Sequence, residues 1–173
     1  MEFTKIDEFN ESLSHLGFWE RFIYKFDSNA CNSTTEIIDL IFKSDILFKT
    51  EECINYEGLT PKKHEIRTNH CFTDKIRFKD LEKLNFKEYV LRIDEIKKEE
   101  DWGVDLPIFI KLIDKSIIWI KENNYQNEQI FFIDSEKISK EKLIDFNYYS
   151  YLITTIIISQ TDSKIIIINH GGD

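Results

Sequence analysis

The end of the chain constrains the fold more than any other stretch. Tyr151–Ser159 is an apolar run containing Ile156, Ile157 and Ile158, Gln160-Thr161-Asp162-Ser163 is polar, and Lys164–Asn169 holds Ile165 to Ile168 in succession. Two β-branched runs separated by a short polar turn predict a β-hairpin. Neither run alternates apolar with polar residues, so each strand must be covered on both faces, which places the hairpin in the middle of a sheet. At an exposed edge such a segment would aggregate.

The remaining periodicities supply helices and further strands. Ile6, Phe9, Leu13 and Leu16 recur at helical spacing between Thr4 as N-cap and Gly17 as terminator, predicting a helix over 5–16 with Asp7, Glu8 and Glu11 on its outward face. Residues 18–26 fit both periods and read as a strand on their aromatic content. Ser33-Thr34-Thr35-Glu36 reads as a capping box opening a helix over 34–48. Gly58 and Pro61 mark a loop over 55–64, and Ile66, Thr68, His70 and Phe72 alternate as a strand. A short helix over 78–84, a strand over 89–96 and a helix over 106–122 follow, with a hairpin turning at Asp114-Lys115 as the alternative for the last. Ile130–Ile133 reads as a buried strand and Ser139–Phe146 as a short helix. The sum is an α+β fold, a mainly antiparallel sheet with a central C-terminal β-hairpin and helices packed on it, over 1–173 as a single domain.

Composition narrows the function classes. The 173 residues include 29 Ile, 19 Lys and 11 Asn against one Ala and four Arg, a bias of codon usage that points to an AT-rich bacterial genome. Net charge is −9, with −7 over residues 1–60, +4 over 61–98 and −6 over 99–173. Phosphate neutralisation dominates nucleic-acid affinity, so this balance argues against direct nucleic-acid binding and for a basic partner steered in by the field. Three cysteines, Cys31, Cys53 and Cys71, with no CxxC spacing make a disulfide framework unexpected. The opening MEFTKIDEFNES lacks the basic and apolar regions of a signal peptide, and no apolar run has the length of a membrane span. A cytoplasmic protein with reduced thiols and no membrane partner is expected.

No constellation of catalytic residues stands out. Cys53, His64, His70 and Cys71 do not fall into the close pairs of a zinc site, and neighbours 70 and 71 on a strand point to opposite faces, so no metal and no cofactor is expected. No cysteine sits in a Gly-rich turn or at an evident helix N-terminus that would expose a thiolate. His170-Gly171-Gly172-Asp173 lacks the spacing of a phosphate loop and reads as a strand followed by a flexible terminus. The carboxylate runs suit an interface better than acid–base work, which needs buried and unequal environments. The candidate partner-binding residues are Asp7, Glu8 and Glu11, Glu51 and Glu52, and Glu99, Glu100 and Asp101 with Trp102 beside them as an aromatic anchor.

A small acidic α+β chain of this composition, ending in TTIIISQTDSKIIIINHGGD, resembles the immunity proteins of bacterial polymorphic and contact-dependent toxin systems. The resemblance implies a non-enzymatic inhibitor of one cognate toxin C-terminal domain, commonly a basic nuclease, held through acidic side chains. A small-molecule-binding domain or an enzyme of unrecognised type is the alternative.

Overall fold

The computed structural model describes residues 2–13, 17–27, 33–44, 46, 66–67, 72–73, 76–98, 106–134, 137–142 and 151–172. The C-terminal hairpin forms as its pattern requires: β7 (Tyr151–Ser159) pairs antiparallel with β8 (Lys164–Gly172), from Tyr151 opposite Gly172 to Ser159 opposite Lys164. Ser163 turns the chain in the left-handed region at φ 54°, and the Asp162 N–H donates to Ser159 Oγ at 3.2 Å. β8 continues through Gly172, so His170 and Gly171 belong to the ladder and not to a flexible terminus.

Around this hairpin a six-stranded antiparallel sheet is built in the order β1-β2-β8-β7-β6-β5, with β1 Thr4–Leu13, β2 Gly17–Lys25, β5 Glu82–Leu84 and β6 Gln129–Asp134. The hairpin is central, and its unbroken isoleucine runs are explained by the layers on either side. Ile157, Ile166 and Ile168 point to one face and pack with Tyr89, Ile93, Phe109, Leu112, Ile113 and Ile120 of α2 (Phe86–Ile96) and α3 (Leu106–Glu122). Ile156, Ile158, Ile165 and Ile167 point to the other and pack with Ile37, Ile38, Ile41 and Phe42 of α1 (Thr34–Lys43). An α+β fold with helices on its sheet is therefore what the chain adopts. The α3 helix spans 106–122 with Lys111, Lys121 and Glu122 exposed, and the alternative hairpin at Asp114-Lys115 does not form.

Several local expectations are corrected. The stretch 5–16 is not a helix: β1 occupies Thr4–Leu13 and pairs with β2, because β2 presents a full ladder edge that outweighs a weak helical period. A register shift between Lys5 and Asp7 carries Ile6 out of the alternation that the helical reading had absorbed. Gly17 opens β2 instead of ending a helix, and a Cβ there would lie 3.3 Å from Leu112 Cδ1, so the missing side chain admits α3 onto the sheet. Residues 89–96 are helical, not extended. Asn85 caps α2, accepting from the Glu88 N–H at 3.0 Å while Glu88 accepts from the Asn85 N–H at 2.8 Å, and this reciprocal cap decides the conformation.

The helix expected over 78–84 is a 3-10 turn at Phe78–Asp80 followed by β5, and that over 139–146 is a 3-10 turn at Lys140–Lys142, with 143–146 lying outside the described residues. The strand read over 66–72 appears as two short paired strands, β3 (Ile66–Arg67) and β4 (Phe72–Thr73). α1 starts at the expected Ser33 cap but stops at Lys43, where the Ser44 N–H bonds back to Leu40 and Ile41. The loop over 55–64 lies outside the described residues. Among the described residues no helix is long and apolar enough to cross a membrane.

Candidate functional site

Strand period, not helical period, decides where the first acidic group sits. Asp7, Phe9 and Glu11 lie opposite Ile23, Arg21 and Trp19 on the face that α3 covers, whereas Glu8 and Asn10 lie opposite Phe22 and Glu20 on the other. The expectation that Asp7, Glu8 and Glu11 share one face is thus overturned by the two-residue alternation of a strand. Each carboxylate is also held by a cation. Arg21 donates to Asp7 Oδ2 at 2.6 Å, Lys5 to Glu8 Oε2 at 2.6 Å, and Lys115 of α3 to Glu11 Oε1.

The resulting corner of β1, β2 and α3 is organised by its aromatic rings. The Arg21 guanidinium is buried, 4.2 Å from the centre of the Trp119 ring and 5.4 Å from that of Phe9, so its charge is stabilised by two π faces as well as by Asp7. Phe9 leans on Trp19 at 4.8 Å, and the Trp19 indole N–H donates to Glu11 Oε2 at 3.1 Å. The Lys115 ammonium first, and the indole second, hold the Glu11 carboxyl below the usual carboxylate range. Arg21, Phe9, Lys115 and Trp119 were not among the binding residues expected from the sequence. The signal was there in the alternation of Asp7, Phe9 and Glu11 against Trp19, Arg21 and Ile23.

Among the described residues no strand pairs with the outer side of β1. Residues 4–10 of β1 are all exposed, and two large apolar side chains stand on it, Ile6 at 49% and Phe9 at 36% of full exposure. Glu51, Glu52, Glu99, Glu100, Asp101 and Trp102 lie outside the described residues, as do Cys53, His64, His70 and Cys71.

The same cross-strand row that starts at Glu11 runs through Trp19, His170 and Ile153 to Asp134. His170 is fully buried, stacked on Trp19 with ring centroids 6.3 Å apart, and neither ring nitrogen has a hydrogen-bond partner among the described residues. Burial pushes its pKa down to about 3, so the imidazole is neutral. At the far end Arg92 of α2 donates to Asp134 Oδ2 at 2.8 Å, with Glu95 at 3.2 Å and Glu82 at 3.6 Å. Beside this cluster a cleft of about 340 Å³ is lined by Lys79, Asp80, Phe132, Asp134, Lys137 and Lys142, in which Lys142 pairs with Asp80. Among the described residues no three His, Cys, Asp or Glu side chains are grouped to hold a metal ion.

Comparison with protein-family models, with curated proteins and with solved structures finds no match to this chain.

Proposed function

We propose that this chain is an immunity protein that binds and neutralises a cognate toxin domain in the bacterial cytoplasm, acting by binding alone and without a cofactor. The observation that carries this reading is the solvent-open β1 edge, where Ile6 and Phe9 stand exposed among Asp7, Glu8 and Glu11 in the most acidic third of the chain. Apolar anchors ringed by charge are the make-up of a specific protein interface. A net charge of −9 favours a basic partner, and a nuclease is basic because it must hold phosphates. The test is co-expression with the C-terminal toxin domain encoded beside this gene. Rescue of growth, a stable complex, and an association rate that falls with added salt are expected. A neighbouring domain that is harmless alone, or that forms no complex, overturns the reading.

The cleft beside Asp134 favours a second reading, a small-molecule-binding domain, since its volume is in the range of ligand sites. Against it, two of its carboxylates are already neutralised, Asp80 by Lys142 and Asp134 by Arg92.

A further inference from the structure

We infer that β1 accepts an extended, lysine- or arginine-bearing strand of the partner protein as a seventh strand of the sheet, with the contact made backbone to backbone along Asp7–Glu11. The occupant's conformation follows from the chemistry of the edge. Among the described residues β1 is paired only with β2, so from Asp7 to Glu11 the N–H and C=O groups on its outer side form a row that another extended backbone matches. From Asp7 to Leu13 the pairing with β2 is regular, which keeps that row straight, and the irregularity is confined to Lys5 and Asp7.

The occupant's charge follows from the side chains. Thr4–Leu13 carries three carboxylates and one lysine, so a second copy of this chain would set carboxylates against carboxylates, whereas a basic strand would not. Lys5 and Glu8 are both about half exposed, and an ion pair so open to water is weak enough for Glu8 to exchange Lys5 for an incoming cation. Phe9, backed by Trp19, offers an apolar neighbour on the opposite face. The strand that fits therefore places a basic residue opposite Glu8 and an apolar one opposite Phe9.

The identity of the partner rests on the neutralisation reading; the pairing chemistry does not. The test uses the full chain with a synthetic ten-residue peptide alternating lysine with threonine and valine, and with the same peptide fully N-methylated, which keeps the charge but removes the ladder donors. Amide hydrogen exchange of the chain is followed in both, and again in complex with the toxin domain encoded beside the gene. The expected result is slowed exchange at alternate amides of Asp7–Glu11 with the unmodified peptide, binding weaker by about tenfold or more for the methylated one, and the same protected amides in the toxin complex. A Glu8→Lys variant, which leaves β2 pairing untouched, should weaken both complexes. Equal binding of the two peptides, or a toxin complex that protects another surface, overturns the edge assignment while leaving neutralisation intact. Protection of β1 by the peptide with no toxin complex leaves the edge assignment standing and overturns neutralisation instead.

Discussion

The two edges of the sheet are finished in opposite ways. β5 is three residues long, flanked by the 3-10 turn at Phe78–Asp80 and followed at once by α2, whose Arg92 reaches Glu82 on β5 and Asp134 on β6. β1 is ten residues long and exposed over most of its length, with no described element beyond it. A short strand clamped by a buried arginine offers little ladder to a newcomer, and a long exposed one offers a great deal. On β1 protection is left to charge and to a single irregularity, devices that discourage self-association. Edge strands of one sheet thus differ in finish: one is short and clamped, the other long and exposed.

Substitutions that move a charge between the centre and the edges should break this comparison most visibly. Ile166 is fully buried on β8, so Ile166→Asp places an unpaired carboxylate in the core at a cost of several kcal/mol against a total stability of about 5–15 kcal/mol. Loss of soluble expression is expected, and the same change at exposed Ile6 should be tolerated; a soluble, stable Ile166→Asp protein would contradict the central placement. Next in size, Arg92→Ala strips Asp134 of its buried partner and should cost about 3–5 kcal/mol in denaturant titration, with faster hydrogen exchange on β5 and β6.

The middle of the cross-strand row from Glu11 on β1 to Asp134 on β6 should report through pH. The folded pKa of His170 lies at about 3 against 6.5 for the free side chain, so below pH 6.5 the unfolded chain takes up a proton that the native state refuses. Its contribution to stability is complete above pH 6.5 and falls with decreasing pH toward about 3, at up to about 1.4 kcal/mol per pH unit. His170→Leu should flatten that part of a stability–pH curve without lowering stability at pH 7, since the lost nitrogens have no described partners. The smallest effect belongs to the open edge: Glu8→Gln removes an exposed ion pair and should change stability by less than about 0.5 kcal/mol, so any larger loss of partner binding reads out the interface alone.

What the sequence revealed depended on how strongly each stretch is forced. The hairpin over 151–169 was legible because two isoleucine runs admit no arrangement except burial on both faces. α3 was legible because seventeen residues give the helical period room to repeat. The stretch 5–16 misled because four apolar residues spaced by three and four fit a helix by chance, while the strand's own alternation was blurred by the shift at Lys5. α2 misled because β-branched and aromatic residues outweighed the Asn85…Glu88 cap, a stronger signal than propensity. The candidate site was half legible: acidic residues on β1 were named, but their division between faces and their partners Arg21 and Lys115 depend on pairings that only the folded sheet brings together.

The central position of the last hairpin also sets an order of assembly. β7 and β8 can close locally through their short turn, and so can β1 and β2, but Phe22 finds its neighbour only when Ile167 has been made. During synthesis the first hairpin therefore waits, its apolar face uncovered, until the ribosome has delivered almost the whole of this sequence. Such non-local closure is slow, and the waiting intermediate is the species that a chaperone would hold. Circular permutation that moves β7 and β8 ahead of β1 would turn the template into the first piece made, and should shorten the wait.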